Sequence, residues 1–296
     1  MNNGQILYLY DAKLTNPNGD PDEENRPRMD YERDLCLVSD LRLKRYIRDY
    51  QLMQGDALYV QKIDDEPVTS ANRVKGFEKG GKLDFDEILK QFIDVRLFGA
   101  TITAKNDNKS FTGPVQFNWG YSLNKTELLE SSITSHFASS ESKSQGAIGK
   151  DYRVKYALIA FSGTISAERA KKTLLSEDDL SLLDGAMVNA IPLLATRSKI
   201  GQYPRFYLRL EFVDGGTMLR DLRSYIKLES DFNEQAIRDV NEYKIDVTAL
   251  KNYLDSKKEK IKKVYCYADS ALQLIVEREP ITAKVLLDKF ETVNLD

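Results

Sequence analysis

The side chains best placed to do chemistry are crowded into one early segment, Asn16 to Arg28 (NPNGDPDEENRPR). Asn16, Asn18, Asp20 and Asp22 fall at alternate positions, the spacing of oxygen ligands in a calcium loop. The match fails at two decisive places. Counted from Asn16, Pro21 stands where such a loop needs glycine, and Pro27 where it needs a bidentate glutamate. A looser Mg²⁺ site on Asp20 and Asp22 is the metal chemistry that remains. The alternative is an Asx-turn loop, in which short polar side chains bond the nearby backbone. The density of Asn, Asp, Pro and Gly favours the turn loop.

Positive charge is also concentrated. Arg26 and Arg28 close the loop, and Arg42, Lys44, Arg45 and Arg48 follow on the next predicted helix. Lys44 and Arg48 are four apart and share a helix face, from which ammonium and guanidinium groups can follow phosphates. The opposing interpretation is an ordinary solvated face. Thr196 to Arg209 (TRSKIGQYPRFYLR) carries Arg197, Lys199, Arg205 and Arg209 without an acid. Tyr203, Phe206 and Tyr207 interleave with these cations around a turn at Gly201 and Pro204. That mixture suits single-stranded RNA, through phosphate pairing and base stacking. It equally suits a hairpin with its aromatics in the core, and Phe206 is assigned to the core. A third basic group, Lys257 to Lys263, reads as favourable charge at a helix C-terminus. Tyr8 and Tyr10 on the first strand read as packing residues.

Other chemistries find no support in the residues. The single histidine, His136, has no suggestive neighbours for nucleophilic catalysis, and no Cys/His cluster has zinc spacing. Cys36 and Cys266 read as buried thiols of a cytoplasmic protein. Gly76, Gly80 and Gly81 form no phosphate loop. The chain has no apolar run long enough for a membrane span and no secretory start. With 296 residues, 42% of them hydrophobic, it can bury a sizeable core. Its net charge is -3, so an RNA-binding surface must be local and the acidic excess needs another use, such as contacts between subunits.

Several elements must position these groups. Gln5 to Asp11 reads as a buried strand, and Val38 to Gln51 as the basic helix, with Ser39 or Asp40 as N-cap. From about 55 to 151 the pattern is irregular and reads as an insertion, with Phe85 to Phe98 as a helix running into a short apolar segment. Lys105 to Lys109 and Ser139 to Lys150 are polar and read as mobile. Tyr152 to Ser162 alternates as a strand. A helix from Glu177 follows a capping box of Ser176 and Asp179. Strands are predicted at Phe206 to Val213, Val264 to Asp269 and Leu272 to Glu277, and helices at Asp246 to Lys263 and Ile281 to Phe290. The order implies an α+β fold with helices over one face of a largely antiparallel sheet. A ferredoxin-like core of the RRM type, with an insertion, satisfies it.

Four motifs, in order, carry a family resemblance: the first strand running into NPNGDPDEENRPR, then VSDLRLKRYIRDY (Val38 to Tyr50), then DVRLFG with TGPVQF (Asp94 to Gly99, Thr112 to Phe117), then TRSKIGQYPR (Thr196 to Arg205). The chain resembles the backbone subunit of type I CRISPR Cascade complexes, the Cas7 family of the RAMP superfamily, with the I-B branch nearest. The resemblance implies a single RRM-like palm domain, a helical fingers insertion and a thumb hairpin near 196–205. It also implies copies stacked along a CRISPR RNA, beside other Cascade subunits, with the guide open to target DNA. Guide contacts carried over by position are Arg28, Lys44, Arg45 and Arg48, with Arg42 a weaker match, Gln116 near the web of the hand, and Arg197 and Lys199. Arg26 and Arg205 complete the expected RNA-binding set. No catalytic residue, metal or cofactor is expected. The runner-up is a metal-dependent ribonuclease using Asp20 or Asp22, since related type III subunits cut RNA with an acidic loop residue. A repeat-processing endoribonuclease of the same superfamily is opposed by the lack of a well-placed histidine.

Overall fold

The computed structural model describes residues 1–104, 107–138 and 146–295, with side chains described except at 134–138 and 146–148. The His136 side chain therefore lies outside the described residues. In chain order the main elements are β1 (Gly4–Thr15), β2 (Leu35–Val38), α1 (Asp40–Met53), α2 (Phe85–Gln91), α3 (Ile93–Phe98), β3 (Val115–Phe117), β4 (Gly120–Ser122), β5 (Leu128–Ala138), β6 (Gly146–Ile165), α4 (Ala167–Thr173), α5 (Glu177–Leu193), β7 (Gln202–Phe212), α6 (Thr248–Ser256) and β8 (Ile261–Ala268).

The principal sheet runs β8-β7-β1-β6-β4-β2, with β3 and β5 also paired to β6 and short strands at both edges. β1 is antiparallel to both neighbours, with Tyr8 opposite Phe161 on β6 and Tyr207 on β7. With β2, α2, α3, β5 and α4 set aside, β1, α1, the β3–β4 segment, β6, α5 and β7 come in the order β-α-β-β-α-β.

The helices cover one face, as expected. Ile6, Tyr8 and Tyr10 of β1 pack with Leu43, Tyr46 and Ile47 of α1 and with Leu180, Leu183, Met187 and Ile191 of α5. The apolar stripe predicted on α5 thus meets the sheet, each such side chain contributing about 1.5–3 kcal/mol. The Ser176–Asp179 capping box is present at its start. The other face is covered too, which corrects the one-sided arrangement. Leu7 and Leu9 lie under Leu222, Ile237, Tyr243, Leu250 and Leu254. This explains why Gln5 to Asp11 is almost uniformly apolar: a central strand buried on both faces has no polar side to alternate with.

Other boundaries change. The insertion has its own small core, including Tyr59, Val74, Ile88, Phe92, Val95, Ile102 and Phe111. It stops before β3, so residues from 115 to 151 belong to the main sheet and its extension. The helix predicted from Phe85 ends at Gln91, where Phe92 is extended with φ -109° and ψ 103°, and the short apolar segment it runs into is a second helix, α3. Of the stretches expected to be mobile, Asn108–Thr112 pairs with Gly99–Thr103 and residues 146–150 open β6, while 105–106 and 139–145 lie outside the described residues.

The segment 196–205 is not a hairpin. Thr196 to Ile200 is the turn from α5 into β7, docked on the end of β1. Gly201 makes the docking possible. Its φ is +97°, and a Cβ there would stand 2.5 Å from the Lys13 carbonyl oxygen. The two-stranded ribbon lies instead at β5 and β6, where Leu128 pairs with Val154 and Ser132 with Lys150.

The helix expected at 246–263 ends at Ser256, after which Ile261, Val264 and Cys266 alternate inward on β8. The basic run Lys257 to Lys263 is therefore split between a turn and a strand. The terminal helix shrinks to Ala283–Leu286, because Glu279–Ile281 pairs with Leu274–Val276. Both cysteines are free and buried, and burial pushes each thiol up to about 12.

Candidate nucleic-acid interface

The loop after β1 is built by its own polar side chains. Gly19–Asp20 pairs with Arg26–Pro27 as a miniature hairpin around Pro21–Glu23. The Asp20 carboxylate accepts the Asp22 N–H at 3.2 Å and an Arg28 Nη1–H at 2.7 Å. Asn16 donates to the Asn25 carbonyl at 2.7 Å. The Asp20–Asp22 bond is an Asx-turn, the Arg28 contact is an ion pair and the Asn16 bond ties the two ends of the loop, so the Asp20 carboxylate is engaged within the loop. Among the described residues no group of three or more His, Cys, Asp or Glu is placed to hold a metal.

Asn18 joins this loop to the basic helix. Its Oδ1 accepts the Ser39 N–H at 2.8 Å and the Ser39 Oγ–H at 3.0 Å. Ser39 Oγ in turn accepts the Arg42 N–H at 3.2 Å, capping α1. The N-cap falls on Ser39, one of the two residues the sequence allowed.

Side chains on α1 then divide by partner. Lys44 is buried and donates to Asp40 at 3.0 Å and to Gln116 Oε1 at 3.2 Å. An ammonium has three donors, so one remains. Arg48 donates to the buried Asp94 at 3.0 Å and lies over Phe98. Arg45 pairs with Asp49 at 2.9 Å but is 45% exposed, an arrangement worth little and easily exchanged. Arg42 stacks on Tyr46, its carbon Cζ 3.8 Å from the ring centroid, and its buried Nε has no hydrogen-bond partner among the described residues.

The 196–200 turn brings its cations to the same place. The Asn16 N–H and Thr15 Oγ–H both donate to the Ser198 carbonyl, and Lys199 donates to the Asn16 carbonyl. Burial, reinforced by the charge of Arg42, lowers the Lys199 ammonium to about 7. Neither Arg42 nor Lys199 has a carboxylate partner among the described residues. Arg197, 62% exposed, reaches Asp151 at 3.4 Å.

The base of the ribbon closes the far side. Arg26 stacks 4.5 Å from the Tyr152 ring centroid, and Tyr152 donates to Glu24 at 2.8 Å. The Tyr152 hydrogen bond, helped by Lys150, holds the Glu24 carboxyl below its ordinary range. Arg153 donates to the carbonyls of Leu14 at 2.8 Å and Arg197 at 3.3 Å, tying ribbon, β1 and turn together. The sequence passed over Tyr152 and Arg153; only the alternation of YRVKY signalled them.

Arg205 is the exception among the expected RNA contacts. It is held by Asp11 at 2.7 Å and Asp269 at 3.2 Å, on the sheet face that carries Leu7 and Leu9. Arg48 is equally enclosed but sits on the basic helix, whereas Arg205 is separated from that helix by the sheet. Both faces of the sheet are covered, one by α1 and α5 and the other by residues including Leu222, Tyr243 and Leu250.

Solved structures share this architecture. A chain of a CRISPR RNA-guided surveillance complex in a pre-nicking state superposes with a TM-score of 0.56 at 13% identity, covering 99% of this chain and 96% of its own. A chain of another CRISPR RNA-guided surveillance complex gives 0.52 at 12% identity, covering 97% of each. The fold is thus one found among subunits of such complexes. The sequence model described as CRISPR-associated protein Cas7 matches residues 2–248. The CRISPR-associated protein Cas7 of Haloferax volcanii is 32% identical over an alignment of 312 residues, covering 96% of this chain and 92% of its own. The chain belongs to the Cas7 family.

Proposed function

We propose that this chain is a non-catalytic backbone subunit of a Cascade surveillance complex, binding CRISPR RNA along its spacer. Copies pack side by side with other Cascade subunits, and the guide remains open to pair with target DNA. The observation that carries this reading is the meeting of Arg42 and Lys199, two basic groups on different elements with no carboxylate partner among the described residues. Burial and Arg42 press the Lys199 proton off near pH 7, and a phosphate supplies the anion that holds both groups charged.

Around this pair, Arg26, Arg28, Arg45 and Arg197 extend the phosphate track, and Lys44 and Arg48 offer their remaining N–H groups, with Gln116 setting the Lys44 ammonium. The β-α-β-β-α-β core is the RRM-like palm of a single domain. The small-core insertion is the fingers, and the β5–β6 ribbon replaces 196–205 as the thumb. Asp22 and Glu23 are assigned to contacts between copies.

A titration of the purified chain with guide-length RNA at several salt concentrations tests the reading. Log affinity should fall linearly with log salt and not depend on spacer sequence. Binding confined to one spacer sequence would refute a scaffold.

A further inference from the structure

The chain contains one tryptophan, Trp119, and it stands 43% exposed between β3 and β4. Its backbone is fixed on both sides. The N–H donates to Asn118 Oδ1 at 2.8 Å, and the carbonyl accepts from Arg223 at 2.8 Å. The next residue is pinned as well: a Cβ on Gly120 would lie 2.4 Å from the Phe161 ring. A large apolar ring is thus presented to solvent from a backbone with little freedom to withdraw it.

Its neighbours are those of the basic site. The Arg28 guanidinium carbon is 5.9 Å from the Trp119 ring centroid. Gln116, on the same short segment, accepts from Lys44. The ring therefore stands beside Arg28, a cation already assigned to phosphates, in the pairing of aromatic face and backbone-tracking charge that single-stranded nucleic acid uses.

We propose that Trp119 is a stacking platform for one unpaired base of the bound RNA, next to a phosphate held by Arg28. This rests on the RNA-binding reading above and adds a contact to the base itself. Because every base offers a π face, the contact tolerates any sequence, as a guide scaffold requires.

Trp119 also provides its own probe. Single-stranded RNA of guide length is added to the full chain while tryptophan fluorescence and the anisotropy of end-labelled RNA are followed together. The expected result is saturable quenching with the same midpoint as the anisotropy change. Trp119→Ala should weaken binding about 5-fold or more with an unchanged salt slope, and Trp119→Phe should recover part of the loss. Circular dichroism of each variant establishes that it is folded, and the quenching of the unmutated chain stands without them. Binding seen by anisotropy with no change in fluorescence would overturn the platform while leaving the scaffold reading intact. Equal quenching by a strand abasic throughout would overturn it too. No anisotropy change at any salt would refute RNA binding, and the platform with it.

Discussion

Arg48 donates its Nε–H to Asp94 across 3.0 Å, and this ion pair fastens the basic helix to the inserted segment. Asp94 is fully buried and also accepts the Tyr59 N–H at 2.8 Å and the Val60 N–H at 3.0 Å. Asp94→Ala would strand a guanidinium and leave two amides unpaired. The expected loss is about 3–5 kcal/mol, by analogy with other broken buried pairs, measured by urea unfolding. A loss below about 1 kcal/mol, the level of an exposed pair, would show that the site is wet.

Lys199 predicts a pH dependence. Burial first, and Arg42 second, lower its ammonium to about 7, whereas the unfolded chain keeps that proton to about 10.4. Between these values the unfolded state holds more protons, so this group's contribution to stability rises with pH and is lost as pH falls toward 7. Cys36 nearby stays a neutral thiol through most of this window. A bound phosphate favours the charged lysine, so binding above pH 7 takes up a proton. RNA affinity should decline from about pH 7 to pH 9, and Lys199→Gln should flatten that decline. A profile identical in the variant would remove Lys199 from the interface.

Arg42 and Arg205 should separate cleanly. Arg42→Ala is expected to reduce the salt slope of RNA binding by about 0.7, one phosphate contact on a single strand, with a modest change in melting temperature. Arg205→Ala should leave the slope intact. It strands Asp11, whose carboxyl burial already raises against the pull of Arg205, and should cost about 3–5 kcal/mol of stability. A reversed pattern would mean that the sheet face, not the loop and helix, meets RNA.

The Asp20 carboxylate is engaged by Arg28 and the Asp22 N–H, so RNA incubated with the chain and Mg²⁺ should remain intact. Asp20→Asn combined with Asp22→Asn should give the same gel pattern. Metal-dependent fragments that vanish in the double variant would establish the ribonuclease alternative.

The sequence by itself determined the local devices. The apolar run of β1, the helical stripe and capping box of α5, the Ser39 cap and the turn chemistry of Asn16 to Arg28 are set by residues within a few positions of one another, and each was legible. The clustering of charge on α1 was legible for the same reason.

Tertiary structure alone decided which charges are free. Arg205 and Lys199 lie six positions apart in one basic run, yet β7 carries Arg205 to Asp11 and Asp269, while the preceding turn sets Lys199 beside Arg42. Those partners are more than 25 positions away in every case, so no local spacing encodes them. The same holds for Trp119, whose exposure beside Arg28 depends on how β4 and β2 meet at the sheet edge. Charge type is a property of the residue, but its availability is a property of burial and pairing, and only the packed chain fixes those.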